Sequence, residues 1–168
     1  MKTLILLRHA KSSWDHPGLS DSERPLAARG KRACRALGVP LRPLLEPFDD
    51  EAAAICCSPA RRARATLKRV LKSAGLKRPF TLEDALYTFD GEALWNWCRS
   101  LPEHQQRVLV VGHNPALEQL AQRLVDAPSP ALPTGACIGF ELAVERWAEL
   151  APGCGRLLVY FTPRALVG

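Results

Sequence analysis

Arg8, His9, Arg62 and His113 carry side chains that together could transfer a phosphoryl group. A neutral imidazole attacks phosphorus through a ring nitrogen near neutral pH. Guanidinium groups offer forked donors that match phosphate oxygens and offset charge in the transition state. A second imidazole, kept protonated by a bound dianion, donates to another non-bridging oxygen. Such chemistry rests on positioning and electrostatics and calls for no metal. Taken singly, these residues say little. Arg8-His9 is a dipeptide that recurs by chance, His113 alone could cap or pack, and Arg62 alone reads as a surface arginine. Their shared setting gives them weight, because each follows closely on a short apolar run.

Those runs are residues 3–7, 53–57 and 108–111, continuously apolar as strands buried on both faces are. Residues 26–37 read as a helix closed by Gly38 and Pro40. Ser58-Pro59 reads as an N-cap followed by proline at the first helical position. The stripe Ala63, Leu67, Val70, Leu71 and Ala74 continues that helix, and Gly75 ends it. Leu94, Trp97, Cys98 and Leu101 mark a further helix with Asp90 as its cap. Another follows Gly112-His113-Asn114-Pro115, with Leu117, Leu120, Ala121, Leu124 and Val125 inward. Residues 136–142 and 156–162 read as closing strands, and 127–135, with three prolines and a glycine, as a loop. This alternation predicts an α/β layered domain. In such sheets ligands bind beyond the carboxyl ends of the strands, where helix N-termini favour phosphate.

The motifs resemble a known family. Leu6-Leu7-Arg8-His9-Ala10-Lys11-Ser12 is similar to the R-H-G signature of the histidine phosphatase superfamily, the phosphoglycerate-mutase-like proteins. Ser58-Pro59-Ala60-Arg61-Arg62-Ala63, with Thr66 after it, resembles the second motif, S-x-x-x-R-A-x-x-T. Gly112-His113 resembles the third. Arg8 through Trp14, followed by Ser20-Asp21, Glu23-Arg24-Pro25-Leu26 and Arg29-Gly30, looks most like the SixA-type phosphohistidine phosphatases. The resemblance implies a single domain over residues 1–168 with a three-layer αβα fold, a largely parallel central sheet and helices on both faces. It implies His9 as the phosphorylated nucleophile, Arg8 and Arg62 as the phosphate clamp, and His113 as the residue that completes the pocket. Ser12 falls on the family's R-H-x-x-S serine and is expected to touch phosphate. Asn114 is expected to cap the following helix.

Two departures stand out. The family glycine after the histidine is Ala10, and the usual acidic residue next to it is Lys11. The general acid is open: Asp84 lies three residues before Tyr87, the spacing of the mutase branch, with Glu83 beside it, and a solvated acidic turn is the alternative. A sugar alkoxide needs a proton as it leaves. An imidazole leaving from phosphohistidine is far less basic, with a reference pKa of about 6.5. Short spacing between motifs also leaves little chain for a lid. Both points favour a protein phosphohistidine substrate, the alternative being a small phosphorylated metabolite or sugar phosphate. No cofactor or metal is expected.

Composition sets outer limits. The 168 residues are 47% hydrophobic and 24% charged, with 23 Lys and Arg against 17 Asp and Glu, a net charge of +6. That excess attracts polyanions but does not choose among them. Its main clusters, Arg29 to Arg35 and Arg61 to Lys72, contain no aromatics to stack on bases, so nucleic acid is not an expected partner. A basic binding module would leave both histidines at strand ends unexplained. No apolar run is long enough for a membrane span, and a cytoplasmic location is expected, with a monomer compatible with the sequence. Cys34, Cys56, Cys57, Cys98, Cys137 and Cys154 show no metal spacing and read as reduced, buried thiols. Cys56 and Arg62 share the C-x5-R spacing of cysteine-dependent phosphatases. Their intervening loop lacks glycine, though, and Cys56 falls inside an apolar run.

Overall fold

A computed structural model describes residues 1–167. One sheet holds six strands, β1 (Lys2–Arg8), β2 (Ala53–Cys57), β3 (Thr81–Leu82), β4 (Arg107–Gly112), β5 (Cys137–Leu142) and β6 (Gly155–Phe161). Their spatial order is β3-β2-β4-β1-β5-β6. The first four run parallel, and β5 and β6 close the sheet antiparallel, so the largely parallel αβα expectation holds. That expectation spans residues 1–168, and Gly168 lies outside the described residues.

Alternation along β1 divides the core. Leu4 and Leu6 face a layer built by α3 (Gly91–Arg99) and α4 (Ala116–Val125). Ile5 and Leu7 face the opposite layer, formed by α1 (Ala28–Leu45) and α2 (Arg61–Ala74), with α5 (Pro163–Val167) against α1. Burial on both faces is why these strands read as unbroken apolar runs. The register then fixes the site: Arg8 stands level with Gly112, and Cys57 with Val111. The residues leaving β1, β2 and β4 therefore emerge side by side on one edge.

Three local expectations need correction. The first helix does not close at Gly38 and Pro40 but continues to Leu45. Pro40 and Pro43 each remove a donor, yet Leu41 and Leu45 are both 3% exposed, and their burial carries the helix onward. Gly38 is a contact point, since a Cβ there would lie 2.3 Å from Ser73 Oγ on α2. Ser58 does not cap α2, which begins at Arg61; its hydroxyl accepts from the His113 ring and from Ala60 N–H just before the helix. On α3 the deeply buried indole is Trp95, with Arg123 stacked 4.0 Å from its ring centroid, while Trp97 is half-buried. Gly75 ends α2 as expected, at φ 71°, and Asp90 caps α3 through a 3.0 Å bond from Glu92 N–H.

Candidate active site

The strand-end turns are tied together by backbone. The N–H of His9 donates to Gly112 O at 3.2 Å, and that of Ser58 to Val111 O at 3.0 Å. Four of the residues singled out in the sequence, Arg8, His9, Arg62 and His113, are thereby brought into one cluster.

His9 is 7% exposed. Its Nδ1 lies 2.8 Å from the carbonyl oxygen of Ala10, an atom that can only accept. The ring proton is therefore on Nδ1, and Nε2 keeps its lone pair, facing Arg62 Nε at 3.4 Å. Burial, helped by the charges of Arg62, Arg8 and Arg24, pushes the His9 pKa down to about 4. The ring is neutral at physiological pH.

His113 is buried with its ring centroid 5.2 Å from that of His9. Its Nε2 is 2.8 Å from Ser58 Oγ, and its Nδ1 faces Arg62 Nη2 at 3.5 Å. Because Arg62 can only donate, Nδ1 is the acceptor and Nε2–H donates to Ser58. Burial first, then repulsion from His9 and Arg62, brings its pKa to about 3. Tyr87 and Phe89 flank the ring at 5.4 and 5.5 Å.

Arg62 lies in the first turn of α2 and is 3% exposed. Nη1 donates to the backbone oxygen of Asp21 at 2.6 Å and Nη2 to its Oδ2 at 3.0 Å. Tyr87 OH donates to the same Oδ2 at 2.5 Å, and Arg24 to Oδ1 at 3.2 Å. The Tyr87 bond, with Arg62 and Arg24, holds the Asp21 pKa down to about 2 against the opposing effect of burial. Asp21 is thus a permanent carboxylate and holds no proton to give.

Arg8 reaches the opposite wall, where Nη1 donates to Leu132 O at 2.8 Å. Asn114 Nδ2 donates to the same oxygen at 2.9 Å, while Asn114 Oδ1 caps α4 by accepting from Glu118 N–H. Arg8 Nε is buried with no hydrogen-bond partner among the described residues. A buried donor left over in a cationic cluster calls for an anionic acceptor. Thr66 joins the two halves, accepting from Ala10 N–H at 2.9 Å and donating to Arg62 O at 2.7 Å. Ala10 is fully buried beneath it.

Ser12 is buried, but its hydroxyl is bonded to Arg24 Nη2 at 2.5 Å rather than to the four-residue cluster. Asp84 is exposed on a single helical turn, Asp84–Leu86, and forms no ion pair among the described residues. Glu83 accepts from Thr81 at 3.5 Å. Neither acid forms a hydrogen bond or ion pair with the four-residue cluster. The thiols of Cys56 and Cys57 are buried, which lifts their pKa to about 11 and about 12. They are protonated and unsuited to attack, so the C-x5-R spacing carries no thiolate chemistry. No group of three or more His, Cys, Asp or Glu among the described residues could hold a metal ion.

Sequence reasoning missed Asp21, Tyr87 and Leu132. The first two lie within stretches already singled out, but only the folded loops bring them to Arg62. Leu132 acts through its backbone oxygen, which no side-chain pattern advertises.

Residues 4–96, a span that holds Arg8, His9 and Arg62, match the profile of the histidine phosphatase superfamily, branch 1. The uncharacterized protein Rv1276c of Mycobacterium tuberculosis is 31% identical over 94% of this chain and 100% of its own. A proposed phosphohistidine phosphatase SixA from Nakamurella multipartitia superposes with a TM-score of 0.75 at 28% identity, over 96% of both chains. The protein histidine phosphatase SixA complexed with tungstate does so at 0.73 and 25%, over 98% of this chain and 99% of that one. By sequence match and by architecture, this chain belongs to the histidine phosphatase superfamily.

Proposed function

We propose that this chain is a phosphohistidine phosphatase that removes phosphate from protein histidines in the cytoplasm, acting as one domain through a phosphorylated His9. The observation that carries the reading is the His9–Ala10 bond. It leaves Nε2 unprotonated and aimed into a cationic pocket that has a spare donor on Arg8. In the first step Nε2 attacks phosphorus, the N–P bond to the substrate imidazole breaks, and that imidazole takes up a proton. Water then cleaves the His9–phosphate bond, releasing inorganic phosphate and restoring the neutral ring.

Arg8 and Arg62 hold the phosphoryl oxygens in this reading. His113 takes a proton on Nδ1 when the dianion arrives, because a nearby negative charge favours the imidazolium. Ser12 assists from beside Arg24. A substrate with a weakly basic leaving nitrogen suits a site to which neither Glu83 nor Asp84 is bonded, which favours phosphohistidine over a sugar phosphate. The SixA likeness over nearly the whole chain points the same way. No helix among the described residues is long and apolar enough to cross a membrane.

The test is to trap the intermediate. Turnover of a phosphohistidine peptide, stopped by denaturant at alkaline pH, should leave an acid-labile phosphate on His9. His9→Ala should lose both adduct and turnover, Cys56→Ser should keep most activity, and a chelator should change nothing. Full activity in His9→Ala would refute the mechanism.

A further inference from the structure

Beyond Lys11 the chain borders a cavity of about 540 Å³, lined by Lys11, Arg29, Arg32, Arg164, Pro133 and Thr134 among others. We propose that this cavity is an anion subsite for a protein substrate, which takes Asp or Glu side chains beside the phosphohistidine and selects acid-flanked sites. The inference rests on the phosphohistidine-protein reading above.

Topology puts the cavity on the same edge as His9. Leu7 is level with Cys137 on β5, and Cys137 with Phe161 on β6. The residues just before β5 and just after β6, including Thr134 and Arg164, therefore lie beyond the carboxyl end of β1. The first turn of α1 joins them, since Gly30 packs directly on the Lys11 backbone. Lys11 follows His9 by two residues, a Cα separation of at most about 7 Å.

Charge and position together mark this cavity: the hollow lined by Lys68, Lys72, Lys77 and Arg78 is as basic, but it lies at the opposite end of α2 from Arg62. Four cations line it, no acidic residue does, and none of the four has an acidic partner among the described residues. They come from three separate parts of the chain, so their repulsion is not a by-product of one amphipathic helix. Arg42, Arg107, Arg123 and Arg156, by contrast, each meet a carboxylate. Concentrated positive charge with low-dielectric walls draws anions and raises their local concentration.

Arg29, Arg32 and Arg164 are exposed, unlike the buried, hydrogen-bonded guanidinium of Arg62. Such a set suits several carboxylates on a flexible peptide better than one compact phosphate. It also gives a role to Lys11, the residue that replaces the family's usual acid: an acid there would repel the same substrate.

Calorimetry with two peptides tests the proposal, each carrying a stable phosphohistidine analogue and flanked either by Asp and Glu or by Asn and Gln. The wild-type protein should bind the acidic peptide about threefold to tenfold more tightly at low salt, as expected for a few exposed ion pairs. Raising the salt should narrow the gap. Arg32→Gln with Arg164→Gln should abolish the preference, whereas Arg35→Gln with Arg69→Gln, which removes the same charge elsewhere, should preserve it. No preference in the wild type, or equal loss in both double variants, would overturn the proposal. So would discrimination between a propanediol bisphosphate and its monophosphate without discrimination between the peptides, which would assign the cavity to a small molecule. Binding is read without turnover, so failure of the His9 mechanism would show separately, in the trapping experiment.

Discussion

The guanidinium of Arg62 works in two directions at once. Its terminal nitrogens are held by Asp21, and its Nε faces the lone pair of His9. A phosphoryl group arriving between the histidines would meet donors already oriented, and little reorganisation would be left for the transition state. Arg62→Ala should therefore cost on the order of 10²–10³ in kcat/KM, equally for phosphohistidine and for aryl or alkyl phosphates, because every substrate shares the phosphoryl group. Glu83→Gln with Asp84→Asn should behave differently. Neither acid bonds to the cluster, so the change should be less than about threefold on both substrate types, consistent with general-acid help being absent there. Paired kcat/KM ratios on the two substrates decide the matter, and a large loss on esters alone would return one of these acids to the leaving group.

At the scale of elements, the site depends on how closely α1 approaches the turn after β1. A Cβ on Gly30 would lie 2.2 Å from the backbone oxygen of Lys11, two residues beyond the proposed nucleophile. Backbone cannot swing aside as a flexible side chain can, so Gly30→Ala must push the helix and the turn apart. Overpacking of this kind costs about 1–3 kcal/mol. The loss should appear in chemical denaturation and be accompanied by a fall in kcat, because Ala10 and Thr66 link that turn to α2. Gly18, where a Cβ meets nothing within 4 Å, is the control: Gly18→Ala should leave both measurements nearly unchanged.

Across the whole molecule, the fold holds two imidazoles neutral in a buried, cationic setting, and this couples stability to pH. Unfolded histidines take up protons near pH 6.5. The folded rings of His9 and His113 resist until about 4 and about 3. Between those limits the unfolded state binds more protons, so stability falls as pH falls. Each pH unit in that window should weaken the fold by up to about 1.4 kcal/mol per ring. Denaturation at pH 7.5, 6 and 5 should show this decline, with a shallower slope in His113→Gln. Saturating phosphate should also flatten it, by favouring a protonated His113 in the folded state. Identical slopes in wild type and variant would remove His113 from the acid response.

The apolar runs and the residues after them were enough to identify five of the six strands and the α/β class, and the motif resemblance added the αβα layering and the four-residue cluster. Local signals carried that much because a strand buried on both faces must be continuously apolar and its end must then turn. Asp90 and Gly75 were legible for a similar reason, since caps are set by neighbours in sequence. Where tertiary contacts compete with local preference, the sequence misled. Leu41 and Leu45 draw α1 past two prolines, and His113 takes the Ser58 hydroxyl that local rules assign to a helix cap. Strand β3 is two residues long and has no periodicity to detect. Asp21 reaches Arg62 across 41 positions of chain, Tyr87 reaches Asp21 across 66 and Leu132 reaches Arg8 across 124, and Leu132 does so through a carbonyl every residue possesses. Only the assembled sheet edge decides which distant loops meet there, because its register, rather than any local pattern, brings them level.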